Sequence, residues 1–501
     1  MTIRLSIKPF YSRIFSILKV ISITFMLAGC MVGPDYVQSP NDLAGIVLKP
    51  EKYDKNSFKF SDLPYPKYWW SLFDDPILNA LQLQALQNNL DLQITAERIE
   101  QSRAQLGITS SQQLPKIGNF NNYSREALSE YGKLVALGAP SSAGNLWQTG
   151  FDANWELDLW GRVGRMKEMA NATLESTVYD HELSKVALSA EVGKTYLLLR
   201  SNQAQIKIAK QSILIAQEIL TLVNSRKKNG TTTTFEVSSA KAQLAKENAA
   251  VTGLLHKQNN LLNALTFLLG EKPKALDQEL SIVLPFPSMP SNIPVGVSSE
   301  IAHNRPDILQ AEAQLHAATA SIGIAKADFY PRVTLNGKIG FESLESGQLD
   351  SWDARFFSIG PTIYLPIFQG GALRQRLALS ESKQRTAALI YRKTVLQAWH
   401  EINNAFDALA EQQSQYADLS IVYAENQQSL RAYERNYQQG TTDYLTVLTA
   451  ERNLLVNQRD LDNSTTAIAL GIVDLYKSLG GGWNPNEIST MRTIDTRLES
   501  K

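Results

Sequence analysis

The sequence is poor in the residues that build reactive or metal sites. Of 501 residues, one is cysteine and five are histidine. A single cysteine, Cys30, excludes any disulfide within the chain. The histidines (His181, His256, His303, His316 and His400) are scattered over helical stretches, with no HExxH-type spacing and no cysteine nearby, so no zinc site is indicated. Net charge is missing too: 49 basic residues balance 49 acidic ones, which leaves no bulk electrostatic case for nucleic acid. Beyond the first thirty residues no stretch reaches the ~18 apolar residues of a membrane helix, and mean hydropathy is −0.20. Gly480-Gly481-Gly482 lacks the lysine and spacing of a phosphate loop. No catalytic set emerges, and an enzyme is not expected. Proline is absent from Gly161 to Lys272 and again from Ile367 to Asn484. Because proline costs ~3 kcal/mol inside a helix, these two voids predict two very long helical regions.

What is present begins with a targeting segment, residues 1–29. Arg4, Lys8, Arg13 and Lys19 form a basic region, Val20 to Leu27 a short apolar core, and Leu27-Ala28-Gly29-Cys30 closes it. Small residues before a cysteine resemble the bacterial lipobox, which implies lipidation of Cys30. Met31 follows rather than the aspartate that favours inner-membrane retention, so the resemblance implies the outer membrane. Lipid on Cys30 is the only covalent group expected, with no cofactor and no metal. Several acyl CH₂ groups at ~0.8 kcal/mol each make such an anchor firm.

The mature chain states one pattern twice. Gly230-Thr231-Thr232 recurs as Gly440-Thr441-Thr442, and Leu269-Gly270 as Leu479-Gly480, both 210 residues on. Upstream, Leu114-Pro115 answers Tyr330-Pro331 at 216. A repeat this long exceeds the ~20–50 residues of a solenoid unit and marks a duplicated half-molecule. The expected organisation is an extended segment over 30–75, a first repeat over 76–270 with a hairpin at 116–158, and a proline-rich irregular connection over 271–299. A second repeat follows over 300–482 with a hairpin at 332–367, then a polar tail over 483–501. The first helix is expected to run from Pro76 to about Leu114, and its counterpart over 300–329. In the hairpins, Trp147, Thr149, Phe151, Ala153, Trp155 and Leu157 alternate with polar residues, and Val333, Leu335, Gly337, Ile339 and Phe341 do the same. Strands of ~10 residues with one aromatic-rich and one charged face fit a transmembrane barrel. Four strands cannot close one, and open edges cannot face lipid, so several chains must share it. In the long helices, Ile206, Ala209, Ile213, Ala216, Leu220 and Val223 are spaced as in a heptad seam, and Tyr416, Leu419, Tyr423, Asn426, Leu430 and Tyr433 repeat it. As one helix, the first region would measure ~100 Å.

The order helix, hairpin, long helix, glycine turn, shorter helix, twice over, resembles the TolC-like outer-membrane factors. The supporting motifs are Trp155-Glu156-Leu157-Asp158-Leu159-Trp160-Gly161-Arg162 with its counterpart Leu365-Pro366-Ile367-Phe368-Gln369-Gly370-Gly371, then Asp328-Phe329-Tyr330-Pro331-Arg332 and the run from Leu475 to Trp483. With Cys30 and Val32-Gly33-Pro34-Asp35-Tyr36, the chain resembles the lipoprotein (NodT/OprM-like) branch attached to resistance-nodulation-division efflux systems. The resemblance implies a mixed α/β fold in which a homotrimer closes a twelve-stranded barrel above a hollow helical tube. It implies a periplasmic adaptor and an inner-membrane resistance-nodulation-division pump as partners, outer-membrane lipid around the barrel, and a passive conduit gated at its periplasmic tip. It places the tip turns at Gly230 and Gly440 and the constriction near Glu236, whose second-half matches are Thr446 and Thr449. Tyr437, Glu451 and Arg452 complete the implied tip network, with closure expected from contacts among Tyr437, Arg452 and Glu236. Efflux and protein secretion through the same fold are not separated by these residues. A coiled-coil tether between outer membrane and cell wall explains Cys30 and the heptads but not the strands.

Overall fold

The computed structural model describes residues 31–37, 59–61, 63–64, 66–295 and 305–483. The targeting segment, Cys30, His303 and the polar tail after Trp483 lie outside them. The chain order is β1 (Lys59–Ser61), α1 (Pro76–Asn88), α2 (Leu90–Ser110), β2 (Lys116–Glu126), α3 (Lys133–Ala136), β3 (Gly144–Leu157), α4 (Arg162–Lys228), α5 (Thr234–Leu268), α6 (Asp277–Leu280), β4 (Asn292–Pro294), α7 (Pro306–Ala327), β5 (Arg332–Ser343), β6 (Arg355–Tyr364), α8 (Ala372–Gln438) and α9 (Tyr444–Ser478). The duplication is exact in the helices that matter most: α4 and α8 have 67 residues each, α5 and α9 have 35 each. The offset falls from 216 to 210 in the hairpins, where the first loop, residues 127–143, is longer than the second, 344–354. Among the described residues no helix is long and apolar enough to cross a membrane.

Compact units do not follow the repeats. One unit takes residues 1–39, 98–177 and 311–391, the other 40–97, 178–310 and 392–501, so each draws on both halves. The first unit carries a four-stranded antiparallel sheet in the order β2-β3-β5-β6. The two hairpins join through β3 and β5, with Trp147 opposite Ser343 and Leu157 opposite Val333. On the apolar face, Ile117, Phe151, Ile339, Phe357, Ile359 and Ile363 stand exposed. The Tyr123 and Trp147 rings meet at one end of that face, 4.4 Å apart. Trp155 marks the other end, its indole N–H donating to the Gln113 carbonyl at 3.0 Å. Trp147 and Trp155 are eight residues apart along β3, about 26 Å at 3.3 Å per residue, close to the ~25 Å apolar band between aromatic girdles. The other face carries cross-strand polar pairs. Asn154 donates to Asn336 at 2.7 Å, and Gln148 to Glu342 at 2.5 Å. Strands β2 and β6 are the sheet's edges.

In the same unit, residues 31–37 are docked. Val32 N–H donates to the Trp160 carbonyl at 3.1 Å. Asp35 accepts from the buried Arg165 at 2.6 Å, and the Tyr36 ring stacks on His316 at 4.4 Å while its hydroxyl donates to Glu312 at 3.0 Å. Burial and the Glu312 carboxylate push the Tyr36 hydroxyl's pKa up.

The second unit holds the main core. Trp69, Trp70 and Phe73 are fully or nearly fully buried among Leu78, Tyr196, Leu265, Ile472 and Tyr476, with the Trp69 ring stacked on Tyr476 at 5.7 Å. The segment over 30–75 is therefore not simply extended: Trp69–Phe73 forms a 3-10 turn, and Lys59–Ser61 pairs in parallel with Asn292–Pro294. That pairing and α6 also give the 271–299 connection more regular structure than expected. Asp75 caps α1, accepting from Ile77 and Leu78 N–H at 2.8 and 3.0 Å, and takes a hydrogen bond from the Tyr196 hydroxyl at 2.7 Å.

The helix expected from Pro76 to about Leu114 is broken. Asn89 leaves the helical region at ψ 127°, caps α2 by accepting from Leu92 N–H at 3.0 Å, and donates its side-chain amide to the Leu268 carbonyl at 2.9 Å. An asparagine that satisfies two helix ends at once offsets part of the backbone bonding lost at the break. Its counterpart 216 residues on is Arg305, which donates to the Ser478 carbonyl at 2.6 Å, again the last residue of the return helix.

Candidate functional site at the helical tips

The two tip turns are built alike. Residues with propensity for helix run to Lys228 and Gln438, and each run stops at a glycine with φ +71°, Gly230 and Gly440. Gly230 N–H donates to Lys227 O at 3.0 Å and Thr231 N–H to Arg226 O at 2.9 Å. Gly440 N–H donates to Tyr437 O and Thr441 N–H to Asn436 O, each at 2.9 Å. Both are Schellman turns, which satisfy the orphan carbonyls of a helix end and require the left-handed glycine. Thr231 and Thr441 add a hydroxyl bond to the same carbonyls as their own N–H groups, each at 2.9 Å.

The return helices start differently. Thr233 caps α5 by one bond from Glu236 N–H at 3.3 Å. Asp443, 210 residues on, caps α9 by accepting from both the N–H and the hydroxyl of Thr446, at 2.9 and 2.8 Å. Its second oxygen pairs with Arg226 at 3.0 Å, so it ties the second tip to the first. The Thr446 hydrogen bonds, with Arg226 beside them, hold the Asp443 carboxyl below its ordinary range. The Tyr444 hydroxyl donates to Glu218 at 3.0 Å, which raises its pKa, and the Tyr437 and Tyr444 rings lie 5.2 Å apart. Burial, then the charges of Glu218 and Glu434, push the Glu451 carboxyl up.

The expected triad does not assemble. Glu236 sits exposed in the first turn of α5, where the helix dipole favours an acid, and Arg452 is half-buried on α9. Among the described residues neither side chain forms a hydrogen bond or ion pair to the other or to Tyr437. Thr446 spends its hydroxyl on the cap, and Thr449 spends its own on the Leu445 carbonyl at 2.8 Å. The pair that links the tips instead is Arg226–Asp443, flanked by Glu218–Tyr444. Asp443 was readable as an Asx cap before a helical run. Glu218 and Tyr444, 226 positions apart, carry no local signal.

Behind the tips the two heptad seams part company. Ile206, Ala209, Ala216 and Val223 are buried, and Ile208 and Ile215 of α4 pack on Leu448 and Leu455 of α9. Asn202 bonds α5 through the Leu254 carbonyl at 3.0 Å, while Ser201 meets Thr466 of α9 at 2.8 Å. Helix α4 is thus flanked on both sides. The matching seam on α8 is less covered: Tyr416 and Tyr433 are 38% and 40% exposed, and Leu419, Tyr423, Asn426 and Leu430 are half-buried. Two histidines make local contacts: His181 meets Thr95 at 2.7 Å and His316 meets Glu168 at 2.9 Å. Among the described residues no group of metal-ligating side chains forms.

Known proteins share this architecture. The solvent efflux pump outer membrane protein SrpC of Pseudomonas putida is 30% identical over 470 residues, 92% of this chain and 97% of that protein. The probable outer membrane lipoprotein SilC of Salmonella typhimurium is 27% identical over 93% of this chain and 99% of its own length. The solved outer-membrane channel OprN superposes with a TM-score of 0.82 at 31% identity, covering 91% of this chain and 100% of that one. The outer membrane efflux protein profile matches residues 81–271 and 297–481. These matches span both repeats, hairpins and tips included, and the chain belongs to the outer membrane efflux protein family.

Proposed function

We propose that the protein is the outer-membrane channel of a tripartite efflux system, a passive conduit for substrates delivered by an inner-membrane pump of the resistance-nodulation-division class through a periplasmic adaptor. The observation that carries the reading is the four-stranded sheet. It has one aromatic, apolar face, one face of polar pairs, and two open edges. Unpaired edges are not tolerated in lipid. A homotrimer removes them, since three sheets of four close a twelve-stranded barrel wide enough for water. The half-covered seam of α8 supports the same assembly: apolar and aromatic residues at heptad spacing, only partly covered within one chain, are supplied with a partner by the next. Lipid on Cys30 would anchor the chain beside the barrel, and the docking of residues 31–37 that follow it supports such an anchor. The tips, with Glu236 in one half and the Asp443–Arg226 pair in the other, form the gate that an adaptor displaces. Efflux is favoured over protein secretion because SrpC is named as the outer membrane protein of a solvent efflux pump.

Purified lipidated protein reconstituted in planar bilayers should give discrete conductance, and unheated gels should show a heat-sensitive trimer band. Glu substitution at Leu430 and Tyr433 should abolish that band while monomer remains. A monomeric wild type without pore activity would sink the reading and favour a structural tether.

A further inference from the structure

One row crosses all four strands on the polar face of the sheet: Phe120, Gly150, Gly340 and Phe356 stand opposite one another in register. Apart from Leu146 and Tyr364 near the strand ends, this face is otherwise made of polar and charged residues and glycine, so two aromatics at its middle stand out. The two glycines explain how they are used. Three strand spacings put the Phe120 and Phe356 backbones roughly 14 Å apart, yet their ring centroids are 6.5 Å apart. The rings lean over the central strands and roof the two glycines, which are buried. A Cβ built at Gly150 or Gly340 falls 2.2 Å from a carbonyl oxygen of the neighbouring strand, so the floor admits no side chain. Lys338, one residue pair along β5 on the same face, lays its ammonium against this roof, 4.3 Å from the Phe120 ring and 5.4 Å from Phe356.

The nearby acids are engaged elsewhere. Asp152 is the register partner of Lys338, but its carboxylate covers Gly118, with Oδ1 3.0 Å from the position of a Cβ there. Glu156 is paired with Arg162 at 2.7 Å, and Glu342 accepts from Gln148. Among the described residues no carboxylate forms an ion pair with Lys338. Its charge is held in place by two aromatic faces, whose quadrupoles attract a cation without cancelling it.

We propose that Phe120, Lys338 and Phe356 form a cationic aromatic collar on the water-facing side of the sheet, a selectivity element that favours anions over cations. The inference rests on the channel reading, in which the polar face lines the lumen and three copies of the collar surround it. A ring of fixed charge biases the ions that pass, and rings clamping the ammonium hold it at one height in the barrel. The collar lies in the strands, far in sequence from the tip turns, so it acts on charge preference rather than on opening.

The test is the reversal potential of the full-length lipidated protein in planar bilayers under a potassium chloride gradient. Lys338→Gln should lower the chloride-to-potassium permeability ratio by about threefold, the scale of a few screened charges near the pore axis. Lys338→Arg should keep the wild-type ratio. Phe120→Ala with Phe356→Ala should lower it by a smaller factor, because the ammonium is then free to turn to Asp152. A conducting Lys338→Gln pore with the wild-type ratio overturns the collar and leaves the channel reading intact. A wild type that conducts no ions overturns the channel reading and the collar with it.

Discussion

The two halves of this chain share a scaffold and differ at the points where their helices must be secured. Helices of 67 and 35 residues recur in each half, and the tip turns repeat bond for bond. Around that frame the first half uses neutral, modest fastenings: Asn89 on the Leu268 carbonyl, Thr233 as a single-bond cap, a seam covered within the chain. The second half uses charged ones: Arg305 on the Ser478 carbonyl, Asp443 as a cap with three hydrogen bonds from Thr446 and Arg226, and a seam less covered within the chain. In the trimer proposed above, six similar units would surround one axis, and alternate units that differ distinguish an internal neighbour from an external one. Charge at the second-half fastenings makes its joints stronger and more sensitive to single changes.

The widest gap between the halves should appear at the return-helix ends. Arg305 is buried and is shared among Ser478, Asp307 and Glu401, with contacts of 2.6 to 2.8 Å. Arg305→Ala strands a carboxylate pair and a carbonyl, and should cost ~3 kcal/mol. Asn89→Ala removes a cap and one amide bond, and should cost about 1 kcal/mol. Amide exchange at the last turns of α9 and α5, read as local opening free energies, compares the two directly. Equal losses would erase the distinction between charged and neutral fastening.

How legible this was depended on the range of the interaction. Helices, strand pairs and tip turns follow from proline voids, alternation and Gly-Thr-Thr, all local signals, and the 210-residue offset fixed which turn answers which. The break at Asn89 was missed because apolar periodicity continues across it. What ends the helix is an asparagine whose partner, the Leu268 carbonyl, lies 179 residues away. The same distance problem hid the tip. Arg226 and Asp443 are separated by 217 positions, so repeat alignment proposed Glu236, Tyr437 and Arg452 from family resemblance while the bonded pair lay beside them. The phenylalanines of the strand sheet escaped because Phe120 and Phe356 sit in the two strands with the weakest alternation.

At the tips, Asp443→Ala should release the start of α9 by about 1–2 kcal/mol, whereas Thr233→Ala, with its longer single bond, should cost α5 about 0.5 kcal/mol. Exchange at the Thr446 and Glu236 amides reads each cap separately. The pH response carries the same asymmetry. Because the folded state holds the Asp443 carboxyl below its ordinary value, its contribution is complete above the ordinary carboxylate value of about 3.9 and is lost as pH falls through the lower folded one. Between pH 8 and 5 the second cap should therefore be constant.

Glu451 gives the smallest effect and the opposite sign. Burial and the neighbouring charges of Glu218 and Glu434 raise its carboxyl, so the ionised form opposes the folded tip at neutral pH. As pH falls through the raised folded value toward the ordinary one, the tip gains stability, by less than ~1 kcal/mol for a half-exposed group. Glu451→Gln should fix the tip in its acid state, lowering channel conductance slightly at pH 7.5 and removing the pH dependence expected of the wild type as pH falls toward the ordinary carboxylate value. The matching position of the first half holds Lys241, not a carboxylate, so Lys241→Gln should leave that dependence in place. A wild-type pH profile retained by Glu451→Gln would move the titrating group elsewhere and make the two tips equivalent in acid.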